Sequence, residues 1–263
     1  MEVSPSFTVQ LSQDSYLAPS EFKAKYKTSN NKVGSAEFNN VRFFAIEDAE
    51  NIYIVFRGTA TKVNAGTDLN FKHVKFLNIE NTQVHRGFYN IALNSKKILR
   101  KLIEKDKPII ITGHSLGGGV ATLLGGILHV ENKDVLVYSF GSPPVGNKAF
   151  VKSIKNLKHQ RYVHQFDIIP KINKPIADKL KKYITSKKKL TFLKILKPIS
   201  FAFAGLVKLL ASIPYEFVHQ GHLITLRNAG VETKSSNEKL ALLQKLFKFS
   251  RYHNIATYVA GVK

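Results

Sequence analysis

At 263 residues and 44% hydrophobic content, the chain is long enough for one large α/β domain or two small ones with a substantial buried core. Forty Lys and Arg face 18 Asp and Glu, a formal charge of +22, and only seven of the basic residues are arginine. Lysine excess argues against base-specific nucleic-acid reading, which leans on bidentate arginine, and suits diffuse attraction to an anionic membrane surface. Without cysteine there are no disulfides or thiolate metal sites. No uncharged apolar run reaches the roughly 18 residues of a spanning helix. Residues 1–30 show no charged region followed by an apolar core, so no Sec-type leader is read there. The expected location is cytoplasmic or peripheral to a membrane, with non-classical secretion left open.

In chain order, apolar spacing places a helix near Tyr16–Tyr26. Val41–Ile46 and Ile52–Arg57, on either side of Asp48-Ala49-Glu50-Asn51, read as a β-hairpin. Residues 60–84 lack periodicity and read as loop with a short helix. Ile91, Ile98 and Leu102 mark a helix over Ile91–Lys105. Pro108 to Gly118 then reads as a buried strand (Ile109–Ile111), a tight turn (Gly113-His114-Ser115-Leu116-Gly117) and a helix rich in small residues. Further strands are expected at Val135–Phe140, Arg161–Phe166 and Leu223–Arg227, and one or two helices over Asn237–Ala260. Strands alternating with helices predict a mostly parallel central sheet flanked by helices, in one domain over 1–263.

The tight turn carries the chemistry. A serine hydroxyl is a poor nucleophile unless the backbone presents it, exposed, beside a base; a strand-to-helix turn does this and needs small residues at Gly113 and Gly117. With Ser115 as nucleophile, an α/β-hydrolase fold calls for an acid and then a base, each on a loop at the carboxyl end of a later strand. Asp134 precedes its strand and Asp178 lies in a lysine-rich stretch, whereas Asp167 follows Tyr162-Val163-His164-Gln165-Phe166. Among the histidines, His129 lies near the end of the elbow helix, and His159 and His164 precede the acid. His219 and His222 stand just before a strand, and His253 follows every expected strand. Order and position favour His253, with His219 and His222 as alternatives. Oxyanion donors are expected at the Leu116 N–H and on the loop that starts at Gly58-Thr59.

These pieces resemble the class 3 lipase family, the fungal-type triacylglycerol lipases of the α/β-hydrolase superfamily. The matching stretches are Phe56-Arg57-Gly58-Thr59, Val84-His85-Arg86-Gly87-Phe88, Gly113-His114-Ser115-Leu116-Gly117-Gly118 and Phe140-Gly141-Ser142-Pro143-Pro144-Val145-Gly146-Asn147. Asp167-Ile168-Ile169-Pro170 and His253 with Tyr258 complete the series. The resemblance implies a serine ester hydrolase of triacylglycerol lipase or phospholipase A1 type, with Ser115 as nucleophile, His253 as base and Asp167 as its orienter. It further implies Thr59 and Leu116 as the oxyanion hole, His85 as a structural residue, a lid at 60–80, and a lipid ester as substrate. No metal and no cofactor is called for. The chain departs from the family at Pro144, where Arg is usual, and at His164, where Asn is usual.

Residues 171–218 break the rhythm. From 171 through 213 there are eleven lysines and one acidic residue, Asp178, and Phe192–Ile213 is strongly apolar. Lys208 and Pro198 argue against a spanning helix and for one lying in the headgroup plane, its lysines reaching the phosphates. Lys187, Lys188, Lys189, Phe192, Phe201 and Phe203 are the candidate lipid contacts, in a segment that acts as interfacial anchor or as a cap over the site. A retired lipase fold that only binds membranes is the alternative function.

Overall fold

The computed structural model describes residues 3–58, 72–171, 216–227 and 252–262. The central sheet is built from β1 (Lys32–Phe38), β2 (Val41–Glu47), β3 (Ile52–Phe56), β6 (Ile109–His114), β7 (Val135–Phe140), β9 (Lys158–His164) and β11 (His222–Leu226). Its order is β1-β2-β3-β6-β7-β9-β11, antiparallel over the first two pairings and parallel from β3 onward. A smaller sheet has the order β10-β8-β5-β4, with β4 at His73–Val74, β5 at Val84–His85, β8 at Gly146–Asn147 and β10 at Phe217–Val218. The expected α/β-hydrolase architecture is therefore the observed one.

The core lies on both faces of the sheet, which is why β6 and β7 are buried throughout and open on the apolar runs Ile109–Ile111 and Val135–Val137. On one face, Ile109, Ile111 and Val137 pack against α5 (Leu116–Val130) and the apolar side of α3 (Arg86–Ile98). On the other, Ile110, Tyr138 and Phe140 pack under α1 (Pro5–Asp14), Phe22 of α2 (Pro19–Tyr26) and Tyr258 of the last helix, α7 (Ile255–Gly261). The short α4 (Arg100–Ile103) and α6 (Lys148–Ser153) complete the described helices.

Several expectations shift. The helix expected near Tyr16–Tyr26 begins only at Pro19, and α1 ahead of it was not expected at all. The face that α1 buries includes Thr8 and Ser12, so it shows little hydrophobic period; Ser12 Oγ instead meets Thr112 Oγ1 of β6 at 2.8 Å. Edge strand β1 also escaped notice, because each of its residues is half-buried or exposed. It is joined to β2 by Asn39-Asn40, both with positive φ (47° and 60°), the two-residue turn that matches strand twist. The helix expected over 91–105 starts earlier, at Arg86, where His85 Nδ1 caps it by accepting from the Phe88 N–H, and Leu99 separates it from α4.

No helix forms over 72–84; β4, a turn at Phe76–Thr82 and β5 occupy that stretch. Strand β9 runs from 158 to 164 rather than 161 to 166. It ends before Asp167 because that carboxylate turns the chain, its Oδ1 accepting the Ile169 N–H at 2.9 Å at the start of a 3-10 turn, Ile169–Lys171. Most of the expected lid, and of the segment 171–218, lies outside the described residues; the edges of the latter, Lys171 and Phe217–Val218, belong to the 3-10 turn and to β10. Of the expected C-terminal helices, 228–251 likewise lies outside and α7 is the described part.

Candidate active site

Parallel pairing brings the carboxyl ends of β3, β6, β7 and β9 to one rim, with Phe56 beside Gly113, His114 beside Phe140, and Phe140 beside Tyr162. In open α/β sheets, ligands bind outside these ends. Ser115 sits at this rim between β6 and α5, at φ 56° and ψ −125°. A non-glycine residue with positive φ is strained unless its surroundings enforce it. Here the Ser115 N–H donates to the Phe140 carbonyl at 2.9 Å, and its carbonyl accepts the Gly118 N–H at 3.0 Å. Gly113 is the fifth residue of β6, and Gly117 opens the second position of α5. Gly117 is obligatory by contact: a Cβ there would come within 2.3 Å of the Phe56 carbonyl oxygen. Leu116, 3% exposed, is the first residue of α5, so the helix itself leaves its N–H unused. Thr59, the other expected oxyanion donor, lies outside the described residues.

The acid and base reach the same point from far away in the chain. His253 Nδ1 donates to Asp167 Oδ2 at 2.7 Å, and Ser115 Oγ stands 2.8 Å from His253 Nε2. A carboxylate only accepts, so the neutral imidazole carries its proton on Nδ1 and turns a bare Nε2 towards the hydroxyl. All three residues are buried, Asp167 fully. Asp167 is satisfied on every side. Besides the imidazole and the Ile169 N–H, its Oδ2 accepts from the Tyr258 hydroxyl at 2.6 Å. That hydroxyl accepts in turn from the His164 N–H at 3.2 Å. Burial, and then the neighbouring Asp167, hold the Tyr258 phenol well above its ordinary pKa, so it stays a donor.

The alternative bases are employed elsewhere. His219 Nε2 donates to the Pro170 carbonyl at 2.6 Å, and His222 begins β11. His159 joins Ser139 Oγ at 2.8 Å to Gln220 Oε1 at 2.7 Å, and burial pushes it down to about 4. His129 lies in the last turn of α5, and the His164 ring stacks on Tyr252 with 4.6 Å between centroids. Asp134 pairs on the surface with Lys158. The candidate lipid contacts Lys187, Lys188, Lys189, Phe192, Phe201 and Phe203 lie outside the described residues.

Two site features were missed by sequence reading. Gly141 takes φ +59°, where a Cβ would stand 2.9 Å from Asp167 Oδ2 and 3.2 Å from His253 Cε1; the Gly-Ser-Pro-Pro run that ends β7 was its signal. Tyr16 reaches His114 at 2.9 Å and had no signal.

A strand-turn-helix elbow at the rim of a mostly parallel sheet, faced by a later acid and a last histidine, defines an α/β-hydrolase fold. Residues 53–176 match the family model "Lipase (class 3)", and over that stretch the chain is similar to the class 3 lipases. A lipase of Rhizopus niveus is 32% identical over 136 residues, 47% of this chain and 35% of the relative. Toxin TseL of Vibrio cholerae serotype O1 is 35% identical over 114 residues, 40% of this chain and 17% of the relative. The matched stretch thus spans about a third or less of these curated relatives' length. Among solved structures, Rhizomucor miehei triacylglyceride lipase shares the fold at a TM-score of 0.55 and 24% identity, covering 64% of this chain and 72% of that one.

Proposed function

We propose that the protein is a serine ester hydrolase that acts on lipid esters, of triacylglycerol lipase or phospholipase A1 type. One observation carries the reading: a single imidazole, on His253, lies within hydrogen-bond reach of both Asp167 and Ser115. Ser115 attacks the acyl carbonyl while His253 Nε2 takes its proton. Asp167 keeps the ring in the Nδ1–H tautomer and stabilises the imidazolium. The Leu116 N–H and Thr59 hold the tetrahedral oxyanion, each donor typically worth about 3–4 kcal/mol. His253 then gives its proton to the leaving alcohol, and water repeats the cycle on the acyl-enzyme. The relatives named as lipases support a lipid ester, and the basic, apolar segment 171–218 supports contact with an anionic membrane surface.

The test compares parent and Ser115→Ala on triolein, phosphatidylglycerol vesicles and a p-nitrophenyl ester, alongside labelling by a fluorophosphonate. Parent labelling and turnover, both lost in Ser115→Ala with the fold kept, are expected. Parent-level turnover by Ser115→Ala refutes the assignment; an unlabelled, inactive parent that still binds the vesicles is instead a retired lipase fold. Deleting 179–212 is expected to weaken vesicle binding more than turnover of the soluble ester, and equal loss on both would make the segment part of the core.

A further inference from the structure

His114 precedes the nucleophile directly, and its ring does not face the substrate. It is 5% exposed and tilted against the His253 ring, with 4.8 Å between centroids. Each of its nitrogens has a partner. Nε2 lies 2.8 Å from the backbone carbonyl oxygen of His253, and Nδ1 lies 2.9 Å from the Tyr16 hydroxyl. A carbonyl only accepts, so Nε2 bears the proton; Nδ1 of the neutral ring is then bare and accepts the Tyr16 O–H. The Tyr16 oxygen also lies against Gly58, one residue before the expected oxyanion donor: a Cβ on Gly58 would come within 2.3 Å of it.

We propose that Tyr16 and His114 are positioning residues: the phenol donates to Nδ1 and so supports the Nε2–H tautomer of His114, and His114 holds the backbone of His253 so that its imidazole stays in register with Ser115. This rests on the hydrolase reading above. The geometry explains why such a device is needed. His253 lies just ahead of α7, a helix of seven residues in which Tyr258 is the buried side chain. That helix packs on α1, and Tyr16 follows α1 by two residues, so the chain's two ends meet behind the base. Of the contacts described, the one from His114 is direct from the elbow to the backbone of His253. It ties base to nucleophile through adjacent residues, 114 and 115.

Charge supports the same arrangement. Burial first, and repulsion from His253 second, hold the His114 pKa well below the ordinary histidine value. Burial likewise raises the Tyr16 phenol, which keeps its proton to donate. When His253 becomes an imidazolium during turnover, its neighbour at 4.8 Å is thus uncharged.

The experiment joins kinetics on a soluble p-nitrophenyl ester with imidazole ¹⁵N NMR of the parent. Tyr16→Phe is expected to lose about tenfold in kcat and His114→Ala about a hundredfold, with KM little changed and thermal midpoints near the parent. His114→Gln places an amide N–H near the same carbonyl and is expected to recover at least about tenfold over His114→Ala. In the parent spectrum His114 is expected to show the Nε2–H tautomer at neutral pH. Folded Tyr16→Phe and His114→Ala with parent kcat overturn the proposal. So do equal losses in His114→Gln and His114→Ala, losses that merely track the thermal midpoint, and an Nδ1–H or doubly protonated His114. A parent that hydrolyses no ester defeats the function proposed above; the tautomer measurement still judges the relay.

Discussion

The proposed nucleophile and the proposed base of this site are secured by different means. Ser115 is gripped by the backbone: β6 before it is buried throughout, α5 after it is buried over most of its length, and the strained φ is enforced by hydrogen bonds to Phe140 and Gly118. His253 stands on a short terminal segment and is held by polar contacts from His114 and Asp167, with Tyr258 anchoring the carboxylate. Backbone packing in a core has little room to give, so it fixes one atom well and tolerates almost no substitution. Polar contacts hold less tightly but also set the tautomer, which packing cannot do. The molecule uses each where its strength is needed.

That contrast can be broken at its strongest point first. Asp167→Asn keeps the shape but offers the imidazole a donor where it needs an acceptor; the ring then adopts the wrong tautomer. By the general behaviour of Ser-His-Asp sites, kcat on a soluble ester is expected to fall roughly 10⁴-fold with little change in the urea midpoint. A loss of stability equal to the loss of activity would place the carboxylate in the core instead. Gly117→Ala attacks the other half. Its Cβ would meet the Phe56 carbonyl oxygen at 2.3 Å and the carbonyl carbon at 2.9 Å, both backbone atoms. A stability loss of roughly 3 kcal/mol or more is expected by chemical denaturation, with activity falling alongside it. Parent stability in this variant would mean that the elbow is looser than the packing indicates.

The smallest effect sharpens the comparison. Tyr258→Phe removes one donor to Asp167 Oδ2 and leaves the His164 N–H without that acceptor. About a tenfold drop in kcat, with KM unchanged and a cost of about 1–3 kcal/mol in stability, is expected from steady-state kinetics and urea titration. Unchanged kcat would show that Asp167 needs no help beyond His253 and the Ile169 N–H.

What was readable in advance follows the same division. The hairpin of β2 and β3, the strands β6 and β7 and the elbow stand out because their signal is local: apolar runs, turn residues and glycines at fixed spacing. Helix α1 was hidden because Thr8 and Ser12 face the sheet and meet β6 through Thr112, so a buried face looks polar. Edge strand β1 was hidden because little of it is buried, and the turn at Asn39-Asn40 emerged only with the structure. At β9 the end was misplaced because the Asp167 side chain, not the apolar pattern, stops the strand.

The sequence alone determined the class of fold, the elbow that presents Ser115, the proposed nucleophile, and a short list for its partners, since each leaves a local signal or an order along the chain. Tertiary structure decided which histidine from that list reaches the serine: His219 is spent on Pro170 and His159 on Ser139 and Gln220, and parallel pairing of β6, β7 and β9 puts Asp167 on the rim where α7 delivers His253. It alone also disclosed Tyr16 behind the base. A hydrogen bond between residues 98 positions apart leaves no trace in spacing, because the chain that separates them sets no distance until the sheet has formed.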